Sequence, residues 1–324
     1  MFEPLLERFR QGDRRSLARL LTLLARGEQV DAVRTALRRR EGEAPAEPGG
    51  STGASPSQAS RSARVIAVTG SAGVGKSTLI GKFIELLRAK GQSVAVLACD
   101  SQSPLTGGAL LGDRFRMPSR PDDPGVFIRS LAAAGGRGAV ADHLDVMVDL
   151  LRAFGFDWII LETVGAGQGD TAVRELADVV VLLLQPEAGD DIQWEKAGLL
   201  EIADVVVIHK ADLPGAERME AQVRGLLNLP GCREVPVLRV SASKGEGLEE
   251  LYRLLDGLPP RRPADGIDGH ALLRLAQQRL AERFRRHADQ AQPIIARWQQ
   301  RALTDDQAVE QLLRLLMSDN TARP

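Results

Sequence analysis

The stretch RVIAVTGSAGVGKST, residues 64–78, decides the fold class. Its first half is an apolar run typical of a buried strand, and its second half fits the pattern G-x-x-x-x-G-K-[ST]. Glycines let the backbone wrap closely around phosphate oxygens, and the N-terminus of the following helix turns its N–H groups toward the same charge. The stretch therefore predicts a phosphate-binding loop, or P-loop, between a strand and a helix. The residues expected to contact a nucleotide there are Gly70, Ser71, Ala72, Gly73, Val74, Gly75, Lys76, Ser77 and Thr78.

Two side chains of this loop have expected chemical roles. Lys76 should contact the β- and γ-phosphates of a nucleotide, and the hydroxyl of Ser77 should be a ligand of Mg²⁺. The alternative is a glycine-rich turn that matches the pattern by chance. The strand pattern before it and the helix pattern after it favour the P-loop.

Outward from the P-loop, apolar runs alternate with helical patterns along most of the chain. Runs rich in Val, Ile and Leu that are separated by helices are typical of a parallel sheet covered on both faces. We therefore predict an α/β fold, a doubly wound and mostly parallel P-loop NTPase core with helical extensions at both ends. The predicted strands are 64–70, 93–100, 125–131, 157–165, 178–185, 204–210 and 235–242, and the predicted helices are 76–90, 138–154, 191–202, 216–228 and 247–257.

The chain divides into four predicted parts. Residues 1–40 form an N-terminal helical segment, in which 4–39 predict two amphipathic helices with apolar residues at Leu5, Leu6 and Phe9 and then at Leu17, Leu20, Leu21 and Leu24. Residues 41–63 are rich in Ala, Pro, Gly and Ser, which is typical of a flexible linker. Residues 64–260 form the P-loop domain. Residues 261–324 form a helical C-terminal arm, whose amphipathic pattern indicates packing on the domain or on a partner helix.

The composition restricts the possible partners and the compartment. The 42 Lys and Arg residues and the 43 Asp and Glu residues nearly cancel, so neither nucleic acid nor a membrane surface is expected as a partner. Cys99 and Cys232 lie far apart, and no Cys or His has metal-ligand spacing, so neither a disulfide framework nor a zinc site is expected. No apolar run is long enough to span a bilayer, and charges occupy the N-terminus where a signal peptide would be apolar. We expect a cytoplasmic protein.

Two carboxylates follow strands of the predicted sheet. Asp100 ends one strand and Glu162 ends another, and the carboxyl ends of parallel strands converge on the ligand crevice. Mg²⁺ prefers oxygen ligands and keeps several waters, so both acids are expected to hold the metal together with Ser77. The alternative for each acid is an exposed loop residue or a helix cap.

A glycine-rich loop, ETVGAGQGD, starts at Glu162. The backbone N–H of Gly165 is placed to meet a γ-phosphate, and loops of this kind order and disorder with the state of the nucleotide. Gln168 either orients a water molecule or is a polar loop residue without a role in the site.

The segment His209-Lys210-Ala211-Asp212 differs by one residue from the guanine-reading pattern Asn-Lys-x-Asp. Asp212 would accept hydrogen bonds from guanine N1–H and its exocyclic amine, which adenine cannot satisfy. The stem of Lys210 can lie along the base, and after Ser241 the N–H of Ala242 could reach guanine O6. The alternative is a turn of common loop residues. A neutral imidazole at His209 can replace only one hydrogen bond of the usual Asn at a time, so we expect the protein to bind GTP with a weaker affinity. Protonation of His209 beside Lys210 should lower this affinity further at acid pH.

Taken together, these motifs resemble the MeaB/ArgK-type GTPases of the G3E/SIMIBI class, the bacterial relatives of the methylmalonic aciduria type A protein. The specific matches are ACDSQSPLTGGALLGDRFRM (98–117) and LETVGAGQGD (161–170). PEAGDDIQWEKAG (186–198) and GDRRSLARLLTLL (12–24) are also similar to family segments, although several residues of 186–198 depart from the usual pattern.

The resemblance implies a GTPase that acts as a chaperone of an adenosylcobalamin-dependent acyl-CoA mutase, usually methylmalonyl-CoA mutase. Such a protein gates cofactor loading and protects or reactivates the mutase. The family typically forms homodimers through C-terminal helices, here residues 269–318; the alternative is a helix packed back on its own domain. The resemblance assigns Lys76, Asp100, Asp113 and Glu162 to the catalytic region, and Gln168, Asp190 and Lys196 to switch or partner contacts.

Two other functions fit the same fold class. A nickel-delivery GTPase for metallocentre assembly would need Cys and His ligands, and the four histidines form no such tract. A kinase acting on an amino-acid-binding transport protein would transfer the phosphoryl group to an acceptor protein, whereas a GTPase transfers it to water.

Overall fold

The structure, a computed structural model, describes most of the chain with several gaps. The described residues are 2–42, 63–100, 123–132, 143–163, 170–186, 199–229, 233–259, 276, 280, 283–284 and 287–317. They fall into two compact units, which divide between residues 261 and 262.

The strands of the first unit form a single parallel sheet. In the described part they are β1 (Arg64–Gly70), β2 (Val94–Asp100), β3 (Val126–Ala132), β4 (Trp158–Glu162), β5 (Val179–Leu184), β6 (Val205–His209) and β7 (Val237–Val240). Their order across the sheet is β3-β2-β4-β1-β5-β6-β7, and every neighbouring pair is parallel. The predicted α/β fold class is confirmed, and the carboxyl ends of all these strands lie at one edge.

The helices follow the predicted alternation with the strands. They are α1 (Glu3–Arg10), α2 (Arg14–Ala25), α3 (Val30–Gly42), α4 (Lys76–Ala89), α5 (Leu144–Phe154), α6 (Asp170–Leu176), α7 (Ala216–Leu227), α8 (Leu248–Gly257), α9 (Ala288–Gln299) and α10 (Asp305–Met317). Residues 199–202 are also helical, and the earlier part of the predicted helix 191–202 lies outside the described residues. No helix among the described residues is long and apolar enough to cross a membrane.

Both faces of the sheet are covered by helices. Successive side chains of β1 point to opposite faces because a strand has a period of two. Val65 and Ala67 pack in one cluster with the N-terminal helices and α5, whereas Ile66 and Val68 pack in a second cluster with α4 and α8. This double covering explains why the central strands carry runs of Val, Ile and Leu in place of an alternating pattern.

The N-terminal segment contains three helices, so the prediction of two was wrong. Gly12, with a φ of 82°, ends the first helical stretch, and the carboxylate of Asp13 accepts hydrogen bonds from the N–H groups of Arg15 and Ser16 at the start of α2. Gly27, with a φ of 70°, follows α2 and separates it from α3. The third helix also runs to residue 42, into the first residues of the predicted linker 41–63, of which 43–62 lie outside the described part.

The second unit is described mainly through α9 and α10. The indole N–H of Trp298 donates to Asp305 Oδ1 at 2.8 Å and so joins the two helices. Trp298, Val309 and Leu313 are exposed large apolar residues of these helices.

The packing of α2 leads to a test of whether the N-terminal helices share the core of the sheet. Leu20 is completely buried in the cluster that contains Val65 and Ile159, so Leu20→Ala should lower the free energy of unfolding by about 2–5 kcal/mol. The control is Leu226→Ala in α7, where the side chain is 39% exposed and the change should stay within about 0.5 kcal/mol. Urea unfolding followed by tryptophan fluorescence measures both. Equal effects of the two substitutions would contradict the shared core.

Candidate functional site

The P-loop follows β1 in a conformation that two glycines make possible. Gly70 has a φ of 146°, and a Cβ there would lie 2.5 Å from the carbonyl oxygen of Leu183 on the neighbouring strand β5. Gly75 has a φ of 99°, and a Cβ there would lie 2.5 Å from the imidazole Cε1 of His209. Because real side chains cannot make such contacts, both positions need glycine, and the loop turns tightly from the sheet into α4.

Lys76 is buried at the first position of α4. Its ammonium donates hydrogen bonds to the carbonyl oxygens of Gly70 at 2.8 Å and Ser71 at 3.2 Å. The positive charge therefore lies within the turn, beside the N-terminus of the helix. Together these groups make a site for an anion such as a phosphate chain.

Ser77 and Glu162 meet beside the P-loop, although they are 85 residues apart in the chain. The Ser77 hydroxyl donates to Glu162 Oε1 at 2.7 Å, and both residues are buried. The pair forms because β4 lies next to β1, with Glu162 opposite Val68 in the register. Hydroxyl and carboxylate oxygens are ligands that suit Mg²⁺, so the two side chains fit the expected metal. Among the described residues, no group of three or more His, Cys, Asp or Glu side chains could hold a metal ion.

Several sequence-predicted residues have only partial descriptions or none. Asp100 ends β2, the other neighbour of β4, so its backbone lies at the same edge of the sheet as Glu162. The predicted site residues that lie outside the described part are Asp113, Gly165, Gln168, Asp190 and Lys196.

The loop after β6 joins the loop after β7 through a hydrogen bond. Ser241 is buried, and its hydroxyl donates to Asp212 Oδ1 at 2.6 Å. This bond is the main cause that lowers the pKa of Asp212, helped by its own backbone N–H and by the charge of Lys244. Asp212 itself is exposed and therefore stays an ionised acceptor that a ligand can reach. Ala242, the next residue after Ser241, is buried beside it.

His209 holds the P-loop from β6. Its Nδ1 lies 2.8 Å from the carbonyl oxygen of Val74, and its ring lies against Gly75. Since a carbonyl oxygen only accepts, Nδ1 carries the proton and Nε2 is the acceptor of a neutral ring. The residue is 3% exposed, and Nε2 has no hydrogen-bond partner among the described residues. Burial is the main cause that lowers the pKa of His209, and the charge of Lys210 adds to it, against the hydrogen bond to Val74.

The structure adds to the site one residue, Gln185, that was not predicted from the sequence. Gln185 directly follows β5, and its Oε1 accepts a hydrogen bond from the Lys210 ammonium at 2.7 Å. The same ammonium lies 3.4 Å from the carbonyl oxygen of Gly73 in the P-loop. The sequence signal that was available is a polar residue at the end of an otherwise apolar strand.

The lowered pKa of His209 predicts a pH dependence of stability. In the unfolded chain the imidazole takes up a proton below its ordinary pKa of 6.5, whereas in the folded protein it stays neutral to lower pH. The contribution of the neutral, buried imidazole to the free energy of unfolding is therefore fully present above pH 6.5. It is lost as the pH falls from 6.5 toward the pKa of His209 in the folded protein. Between pH 8 and pH 5, His209→Asn should lose less unfolding free energy than the unsubstituted protein, by about 1.4 kcal/mol for each unit by which the pKa is lowered.

Urea unfolding of the nucleotide-free protein at both pH values measures this difference. The control is His287→Asn, which removes an imidazole from the second unit and should leave the pH dependence of the first unit unchanged. Identical pH profiles for the unsubstituted protein and His209→Asn would contradict a buried neutral imidazole.

Comparison with known proteins agrees with this geometry. A family model described as "Methylmalonyl Co-A mutase-associated GTPase MeaB" matches residues 55–258. A putative GTPase of Pyrococcus abyssi is 42% identical over 258 residues, which cover 78% of this chain and 74% of that protein. The mitochondrial methylmalonic aciduria type A homolog of Mus musculus is 39% identical over 194 residues, which cover 58% of this chain and 47% of that protein.

Among solved structures, a crystal structure of an LAO/AO transport system kinase is similar to this chain with a TM-score of 0.58. The match covers 97% of each chain at 22% sequence identity, and at that identity it shows the fold alone. The family model spans more than half of the chain, and the relative from Pyrococcus abyssi is well above the identity at which homology is secure. The chain therefore belongs to the MeaB family and is a GTPase, which hydrolyses GTP to GDP and phosphate.

Proposed function

We propose that this GTPase is a chaperone of an adenosylcobalamin-dependent acyl-CoA mutase, with methylmalonyl-CoA mutase as the first candidate. In this role, GTP binding and hydrolysis gate the loading of the cofactor and protect or reactivate the mutase. The observation that carries the proposal is the family match over 55–258, because the family is described as associated with this mutase. The similarity to the methylmalonic aciduria type A homolog supports the same partner. The homodimer implied by the family resemblance stays a prediction.

The phosphate half of the proposed site consists of the P-loop, Lys76, Ser77 and Glu162. Lys76 places a positive charge among the P-loop carbonyl groups, from where it can turn to the β- and γ-phosphates. Ser77 and Glu162, with Asp100 at the same sheet edge, would hold Mg²⁺ directly or through its waters. The metal, when bound, would neutralise charge on the phosphate oxygens. The buried hydrogen bond between Ser77 and Glu162 keeps both oxygens at the end of the P-loop.

The base half of the proposed site consists of Asp212, Lys210 and the loop at Ser241-Ala242. Ser241 holds one carboxylate oxygen of Asp212 and so orients the group, and the exposed position leaves it open to the N1–H and amine of guanine. Adenine offers an acceptor at N1 and has no amine beside it, so it would leave this carboxylate without donors. The base half therefore supports guanine over adenine.

The base-reading role of Asp212 can be tested by exchanging its acceptor for a donor. Asp212→Asn should weaken GTP by about tenfold or more and improve XTP, because the amide can donate to the 2-carbonyl oxygen of xanthine. Asp212→Ala is the control and should weaken both nucleotides. Equilibrium titration with fluorescent GDP and XDP analogues measures the ratio. An unchanged ratio of guanine to xanthine nucleotide in Asp212→Asn would refute this reading of the base loop.

The partner proposal is tested with purified methylmalonyl-CoA mutase. The mutase should co-elute with this protein in the presence of a non-hydrolysable GTP analogue and should increase its rate of phosphate release several-fold. Lys76→Ala is the matched control, since loss of the P-loop charge should abolish nucleotide-dependent co-elution and phosphate release. No co-elution together with an unchanged rate would contradict the mutase as partner. A phosphorylated acceptor protein in place of released phosphate would instead indicate a kinase.

A further inference from the structure

Gln185 lies between the two halves of the site. It follows the last residue of β5, and β5 is hydrogen-bonded to β1 on one side and to β6 on the other. The P-loop leaves the sheet from β1, and the base loop leaves it from β6. A side chain at the end of β5 is therefore within reach of both loops.

The contact that Gln185 makes is with the ammonium of Lys210. Its Oε1 accepts at 2.7 Å, shorter than the 3.4 Å between the same ammonium and Gly73 O. Among these two acceptors, Gln185 therefore makes the closer contact. The carboxamide is neutral, so Lys210 keeps its net positive charge while its position is fixed.

Lys210, whose ammonium Gln185 holds, has an unusual backbone conformation. Its φ of 56° lies in the left-handed region, which few residues other than glycine adopt. From this position the side chain reaches the end of β5 and the P-loop, where both acceptors lie. A lysine side chain has a flexible four-carbon stem, so an acceptor at its end selects one conformation among many.

We propose that Gln185 is a positioning residue for the nucleotide. By holding the Lys210 ammonium, it stretches the aliphatic stem of Lys210 between the base loop and the P-loop, and this stem is the surface on which the purine ring lies. This inference rests on the proposed base half of the site. The stem contacts the face of a purine and not its edge, so the effect of Gln185 is on binding strength and not on the choice of base.

The test uses two substitutions of similar length at this position. Gln185→Met removes the acceptor and keeps the chain length, whereas Gln185→Glu keeps an oxygen acceptor for the ammonium. Gln185→Met should raise the Kd for GDP and the KM for GTP by about threefold to tenfold, the range expected for loss of one ordinary hydrogen bond, because Gln185 acts on the nucleotide only through Lys210. The kcat should stay unchanged, because the phosphate contacts are made by other residues. Gln185→Glu should restore the affinity.

A double-mutant cycle with Lys210→Met separates positioning from a general structural effect. If Gln185 acts through Lys210, Gln185→Met should have no further effect on GDP affinity in the Lys210→Met protein. An equal effect in both backgrounds, or unchanged affinity in Gln185→Met alone, would overturn the inference. Thermal unfolding of the nucleotide-free proteins verifies that each variant is folded.

The same experiment distinguishes failure of this inference from failure of the proposed base site. If Lys210→Met weakens GDP and Gln185→Met does not, only the role of Gln185 is refuted. If Lys210→Met leaves GDP affinity unchanged, the ammonium does not position the stem and the role of Gln185 is refuted. If Asp212→Ala also leaves GDP affinity unchanged, the base loop itself is misassigned.

Discussion

The position of β1 between β4 and β5 is the constraint on which the site depends. Because the strands are parallel, every loop at their carboxyl ends leaves the same edge, and the P-loop leaves it at the centre. Its neighbours then supply Glu162 from one side and Gln185 from the other, while β6 supplies His209. At this central position Gly70 lies so close to the carbonyl oxygen of Leu183 on β5 that only glycine fits there.

Much of this arrangement could be predicted from the sequence, because it depends on local patterns. The P-loop spacing and the runs of Val, Ile and Leu predict a strand, a turn and a helix without any knowledge of the remaining chain. The convergence of Ser77 and Glu162 could also be expected, since both follow strands of one parallel sheet. The family resemblance adds the class of reaction, which geometry alone does not give.

Other features could not be predicted because they depend on register between distant segments. From the sequence alone, Gln185 is only the polar end of an apolar strand. The strand order β1-β5-β6 is what places it against Lys210. The break between α2 and α3 has a local signal in Gly27, but the helical pattern on either side of it outweighed that signal. The apolar face of α2 is visible in its periodicity, but no local pattern states that this face packs in one cluster with β1 and α5.

Different residues hold the P-loop and select the base. His209 is buried and turns its one donor to the carbonyl oxygen of Val74, so that hydrogen bond is directed at the P-loop and not at the base-reading position. Asp212 is exposed, and its carboxylate is oriented by the hydroxyl of Ser241 in the loop after β7. A ring in place of the usual amide at position 209 can thus hold the loop through Nδ1 but has no second proton to donate while it is neutral. We therefore expect variation at position 209 to change how firmly the loop is held, and preference for guanine to stay with Asp212.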